Sequence, residues 1–211
     1  PLPLDLLGIN LATVKSDVGQ RLFYLDPNNR FWTNHGQSVE HFLGKKNSTF
    51  RNKRTLTITY AVGGAGAQKE IGGRIAMSVK QKIRNGTVRL NLVAGIRPEV
   101  FSYFRDIKTD IGSDNVRVMY AETLHEYFQQ FNTAMRETDM LWTKPSELSF
   151  YAGLGIPIIM TPSIGSQERF NRQWLYEIHA GMEQKDPDFT HEWLFEMLNN
   201  GHIADMAGPG F

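Results

Sequence analysis

The chain contains no cysteine, which excludes disulfides, thiolate metal sites and a cysteine nucleophile, and which fits a cytoplasmic protein. It has no stretch of about 18 consecutive apolar residues, the length needed to cross a bilayer, and no signal peptide. Strong charge of either sign is also missing. Its 23 Lys and Arg stand against 22 Asp and Glu, a formal charge of +1, so bulk electrostatics argues for neither a nucleic-acid nor a membrane partner. None of the six histidines belongs to a spaced metal pair, and they read as surface or core residues. The P-loop pattern GxxxxGK[ST] is absent. No cofactor is expected. The first residue is Pro1 rather than methionine, and the chain is expected to be a piece of a longer protein.

What is present is a repeating strand and helix rhythm. It is densest from Asp139 to Leu175. There, Asp139 to Trp142 and Ile156 to Met160 read as short buried strands, and Ser146 to Leu154 and Gln167 to Ile178 as helices. Gly155 stands where a helix end takes positive φ, and Pro157 cannot continue a helix. Strand, polar loop and helix repeated twice make a βαβα unit of a parallel sheet, whose ligands bind beyond the carboxyl ends of the strands. The loops at those ends are Thr143 to Glu147 and Thr161 to Asn171, both rich in hydrogen-bonding side chains.

The same rhythm opens at Leu56. Leu56 to Val62 is a β-branched strand that runs into Gly63-Gly64-Ala65-Gly66-Ala67, and a helix is expected from about Gln68 to Asn85, with Ile71, Ile75, Val79 and Ile83 on one face and Gly86 at its end. A glycine turn between a strand and a helix N-terminus is an anion site, or else a turn needed only for close packing. The dinucleotide fingerprint fails, because Lys69 stands at its third glycine and no acid follows the second strand. Further strands are expected at Val88 to Ala94 and Asn115 to Met119, helices at Pro98 to Ile107 and Thr123 to Arg136, a short sixth strand after Ile178 and a late helix from His191 to Leu198. Leu124, Tyr127, Phe128 and Phe131 have the spacing of a core face. The expected fold is α/β, a Rossmann-like doubly wound parallel sheet of five to six strands with helices on both faces. Residues 1–54 form a less regular leading segment, with a cation-rich loop from Lys45 to Arg54, and 55–211 form the domain proper.

Three stretches resemble the C-terminal, donor-binding half of glycosyltransferase-B enzymes, in particular the group of the peptidoglycan lipid-intermediate N-acetylglucosaminyltransferase and the diacylglycerol sugar transferases. Gly63-Gly64-Ala65-Gly66-Ala67 resembles the phosphate loop after the first strand of that half. Thr143-Lys144-Pro145 with Gly155-Ile156-Pro157 is similar to the family's T-K-P-G-G and G-L-P letters, and Gln167-Glu168-Arg169-Phe170-Asn171 to its Q-E-x-x-N. The likeness runs from about Leu56 to Ile178. It implies a nucleoside diphosphate sugar, usually a UDP-sugar, as ligand. Its diphosphate would lie near Gly63, Gly64 and Gly66 and near the N-terminus of the helix starting around Ser146, with Thr143 and Lys144 also in the donor site. Gln167 and Glu168 would meet sugar hydroxyls, Gly165 and Asn171 would also belong to the donor site, and Tyr120 to Leu124 would border the base. A helix N-terminus suits a diphosphate as ligand and as leaving group without any metal.

One position departs from the family. Where it places a ribose-binding glutamate, this chain has Phe150; Glu147 lies about one turn nearer the loop and serves either the ribose or the helix dipole. The resemblance implies sugar transfer by inverting displacement, with the acceptor site and catalytic base in a missing N-terminal half, through which any peripheral membrane contact would also be made. No catalytic residue is assigned within this chain. The competing readings are a degenerate, non-catalytic nucleotide-sugar-binding module, a nucleotide-sugar epimerase and a flavodoxin-like binding protein.

Overall fold

A computed structural model describes residues 11–49, 54–62, 66–145, 148–163 and 166–208. Gly63, Gly64, Ser146, Glu147 and Gly165 lie outside the described residues, and of Gln167 only the backbone is described. Three helices lead the chain: α1 (Leu11–Leu25), α2 (Arg30–Leu43) and α3 (Lys45–Thr49). The last of these falls within the cation-rich stretch expected to be loop. Then strands and helices alternate through β1 (Leu56–Ala61), α4 (Lys69–Ser78), α5 (Lys80–Arg84), β2 (Val88–Gly95), α6 (Pro98–Ile111), β3 (Val116–Tyr120) and α7 (Leu124–Glu137). The second half follows with β4 (Met140–Thr143), α8 (Leu148–Gly153), β5 (Ile158–Met160), α9 (Ser166–Glu177), β6 (Gly181–Glu183), α10 (Thr190–Asn199) and α11 (His202–Asp205).

The six strands form one sheet in the order β3-β2-β1-β4-β5-β6, and every pairing is parallel. Strands covered on both faces read as unbroken buried runs, as β1 and β5 do. Successive side chains still divide between two cores. Met140, Trp142 and Ile159 join Ile58, Tyr60 and Phe104 on one face, while Leu141, Ile158 and Met160 join Phe131, Tyr151 and Leu175 on the other. The doubly wound α/β architecture read from the sequence is the one observed.

Local differences have local causes. The helix after β1 breaks at Val79 (φ −94°, ψ 11°), dividing one expected helix into α4 and α5. Leu124, expected in the core, is 56 % exposed because it occupies the first turn of α7, beyond the sheet, and only Phe131 of that face is fully buried. Gly155 has φ +64°, as its place after a helix requires, and a Cβ there would stand 2.9 Å from Val18. Gly72 explains how the chain manages without the third fingerprint glycine: its missing side chain lets α4 settle on the Tyr60 ring, 2.7 Å from where a Cβ would be.

The leading helices are tied to the sheet through a buried cation. Arg21 of α1 is 1 % exposed and donates to the carbonyl oxygens of Thr138 (2.8 Å), Leu154 (2.8 Å) and Met135 (3.5 Å). The Thr138 and Leu154 carbonyls lie just beyond the ends of α7 and α8, where helical partners run out, while that of Met135 also accepts the Thr138 backbone N–H at 3.4 Å. Burial lowers the Arg21 pKa to about 10, against the pull of nearby Asp139. Asp139, also buried, accepts from both terminal nitrogens of Arg54 and from the Thr57 backbone at 2.7 Å. Burial nevertheless holds its carboxyl above the ordinary value, outweighing those bonds. This polar layer closes the amino-terminal end of β4 and leaves the carboxyl end open.

Candidate functional site

The strand order reverses between β1 and β4: from β1 the chain winds outward to β3, then returns to β4 on the other side and winds outward to β6. The position beyond the carboxyl ends of β1 and β4, where the order reverses, is the crevice in which open α/β sheets bind ligands. Thr143-Lys144 stand at the carboxyl end of β4 at this reversal point, and the predicted glycine turn follows β1 in sequence.

Thr143 uses its hydroxyl internally, donating to the Ala61 carbonyl at 3.2 Å and fastening β4 to β1 at the crevice floor. Lys144 and Glu168 meet with Nζ to Oε1 at 3.8 Å, their side chains only 12 % and 18 % exposed. Asn171 Nδ2, one turn further along α9, donates to the Pro145 carbonyl at 3.0 Å. The T-K-P and Q-E-x-x-N stretches are therefore in direct contact across the loops after β4 and β5. Of the predicted residues, the structure brings Lys144, Glu168 and Asn171 together, with Thr143 beneath them.

The glycine turn is held from its far end. Gly66 has φ +69° and Gln68, which caps α4, φ +69°. The Gln68 side chain crosses to the loop after β5, accepting from Thr161 Oγ1 at 2.7 Å and donating to the Pro162 carbonyl at 3.0 Å. Its own carbonyl accepts the Tyr60 hydroxyl at 2.6 Å. Burial, with the negative charge of Glu70 behind it, pushes that hydroxyl well above the ordinary tyrosine value, so it stays a neutral donor. Sequence reasoning missed Gln68 and Thr161; the available signal was a polar residue immediately after the glycine run.

Toward β3, Tyr120 stacks on Phe101 with ring centroids 4.9 Å apart, and Thr123 caps α7 in a reciprocal box with Glu126. The side chains of that stretch thus serve the structure, and Leu124 alone among the apolar ones is left open. Phe150 packs against Tyr151 and the second core, so no polar group stands at the family's ribose position. Beyond β5 and β6 a cavity of about 430 Å³ is lined by Ser163, Arg169, Arg172, Glu183 and Gln184. Neither arginine was singled out in the sequence, although both sit beside the Q-E-x-x-N letters. A larger apolar cavity, about 600 Å³, lies between α1, α2 and α11, away from the strand ends that carry these groups. Among the described residues no three His, Asp or Glu side chains are grouped to hold a metal ion, and no helix is long and apolar enough to cross a membrane.

The family model described as Domain of unknown function (DUF6938) matches residues 97–207. Among solved structures, MurG from Acinetobacter baumannii is similar with a TM-score of 0.55 at 17 % identity, over 75 % of this chain and 46 % of that one. The C-terminal CMP-Kdo binding domain of WaaA from Acinetobacter baumannii gives 0.54 at 10 % identity, over 74 % of this chain and 87 % of that one. UGT2 of Phytolacca americana, complexed with UDP-2fluoro-glucose and pterostilbene, gives 0.55 at 12 % identity, over 75 % and 36 %. No curated protein matches the sequence. The chain spans less than half the length of MurG and of UGT2. At such identities the likeness speaks to the fold, which is that of the C-terminal half of the glycosyltransferase-B architecture.

Proposed function

We propose, for a chain that belongs to the domain-of-unknown-function family DUF6938, that it is the donor-binding half of a glycosyltransferase and takes a nucleoside diphosphate sugar, a UDP-sugar foremost, in the crevice between β1 and β4. One observation carries this reading: Lys144 and Glu168, from two separate motifs, meet at 3.8 Å beside the strand-order reversal. The pair puts a cation where a diphosphate would arrive and a carboxylate where sugar hydroxyls would follow.

In this reading the diphosphate lies against the backbone of Gly63, Gly64 and Gly66, with the N-termini of α4 and of the helix preceded by Ser146 offering unpaired N–H groups. Gly165 and Gln167 join Glu168 and Asn171 around the sugar, and Glu147 takes the ribose in place of the residue that Phe150 has displaced. Two similar structures support a sugar nucleotide by their descriptions, one a CMP-Kdo binding domain and the other holding UDP-2fluoro-glucose. The full protein would then transfer the sugar by inverting displacement, with acceptor site and base in an N-terminal half, in the cytoplasm. The leading segment, 1–54, packs on or leads into the donor domain, which occupies 55–211.

Calorimetric titration with UDP, GDP, CDP and UDP-sugars tests the reading. Saturable binding of one nucleoside diphosphate, abolished by Gly64→Val and weakened by Glu147→Ala, is expected. A folded chain that binds none of them at millimolar concentration overturns it.

A further inference from the structure

The cavity beyond β5 and β6 is cationic, and its strongest cation is unspent. Among the described residues, Arg169 has neither an ion pair nor a hydrogen bond, although it lines a concavity of about 430 Å³, a size in the range of small-molecule sites. Arg172, one turn further on the same face of α9, also lines it and is paired with Glu183 from the opposite wall. Glu183 is thus the carboxylate that opposes an anion here, and its charge is already met by Arg172.

A second, independent feature points the same way. Ser163 lines the same cavity, and its Oγ is shielded from solvent without a hydrogen-bond partner. A buried hydroxyl without a partner is costly and uncommon unless a ligand supplies the missing bond. Gln184, at the cavity's end, has its side-chain oxygen taken by Trp142 Nε1 at 2.9 Å, which leaves its amide nitrogen as a further donor. Serine, glutamine and an unpaired arginine line this one cavity, and a planar guanidinium pairs best with a carboxylate through two parallel bonds.

The pocket adjoins the donor crevice. Pro162 lines it and, through its carbonyl, takes the Gln68 amide. Glu168, which faces Lys144 on one side of α9, is the neighbour in sequence of Arg169, which faces the cavity on the other. A sugar attached to a diphosphate in the crevice would reach past Glu168 toward this cavity. We infer that the cavity receives an acidic substituent on the transferred sugar, so that the donor is a nucleotide-activated sugar acid, its carboxylate bound by Arg169. The inference rests on the nucleotide-sugar reading above.

The test is calorimetric binding of UDP, UDP-glucose and UDP-glucuronic acid to the chain and to its Arg169→Ala, Arg169→Lys and Glu183→Gln variants, each checked for folding by circular dichroism. The acid should bind about tenfold or more tighter than the neutral sugar. Arg169→Ala should abolish that preference and leave UDP affinity unchanged, Arg169→Lys should restore part of it, and Glu183→Gln should enlarge it. Equal affinity for the two sugars, with UDP bound, overturns the inference while the nucleotide site stands. A loss of UDP affinity in Arg169→Ala equal to that for the acid overturns it too, because Arg169 would then be reading the diphosphate. Failure of every nucleotide to bind overturns this inference together with the reading beneath it.

Discussion

Gln68 and Thr161 join the two loops that border the crevice, Oγ1 to Oε1 at 2.7 Å. One lies at the head of α4 and the other just past β5, so the start of α4 and the loop after β5 are tied together. A neutral hydrogen bond of this kind contributes about 1 kcal/mol to stability, and leaving one partner unsatisfied costs somewhat more. In a double-mutant cycle, Gln68→Ala and Thr161→Val should each lower stability by about 1–2 kcal/mol and together cost less than the sum. Urea unfolding measures the stability and calorimetry the nucleotide affinity. Additive losses would mean that the bond does not couple the loops.

Lys144 and Glu168 should separate in their effects on ligand. Lys144→Ala is expected to weaken a nucleoside diphosphate and its sugar conjugate alike, by about tenfold, since the loss is of one charge-assisted contact. Glu168→Gln should spare the free diphosphate and weaken only the conjugate. Titrations of UDP and a UDP-sugar against both variants decide it, and an equal loss for UDP in Glu168→Gln would remove the carboxylate from the sugar.

Arg21 braces the amino-terminal side of the sheet, and its replacement should be felt throughout the fold. Arg21→Met keeps much of the volume but strands the carbonyls of Thr138 and Leu154 and takes a cation from the neighbourhood of buried Asp139. A loss on the order of 3 kcal/mol in denaturant unfolding is expected. A chain beginning at Thr55 would lose the same contacts and the Val18, Leu22 and Leu25 packing, and should fail to unfold cooperatively.

Arg74 provides a weaker and pH-dependent tie, from α4 to the 3-10 turn Pro187–Phe189. It donates through two nitrogens to Asp188 and through one of them also to Asp186, each at 2.8 Å. Arg74 holds the Asp188 carboxyl below its ordinary value of 3.8. The folded chain therefore takes up that proton less readily than the unfolded chain does. The contribution is complete above the unfolded value and drains away as pH falls through the lower, folded one. Because both partners are exposed, the effect is small. Melting temperatures of the wild type and Arg74→Ala should differ at about pH 6 and converge toward about pH 3, and a constant gap would assign Arg74 a packing role instead.

Those ties show which parts of the molecule can be read from letters alone. Strands such as Leu56–Ala61 and stops such as Gly155 and Gly86 are local chemistry, and a window of a few residues contains their whole cause. The T-K-P and Q-E-x-x-N stretches were legible as motifs, and their contact followed from strand order. By contrast, the partners of Gln68 and Arg21 lie 93 and 117 residues away, and no periodicity announces a bond across that separation. Leu124 was misread because helical spacing marks a face without saying how far the sheet extends beneath it. Arg169 was passed over as a filler position between Glu168 and Asn171, since only the placement of β6 reveals the wall opposite it.

The central place of β1 also sets the order in which the crevice can come into being. Its floor, where Thr143 reaches Ala61, joins residues 82 apart in sequence, and such parallel pairing waits on the closure of a long loop. The α4 and α6 layer against β1 and β2 can assemble from nearer neighbours, but the proposed nucleotide site cannot exist until the second half of the chain has docked. In a refolding experiment, recovery of ligand affinity should therefore trail recovery of helical signal.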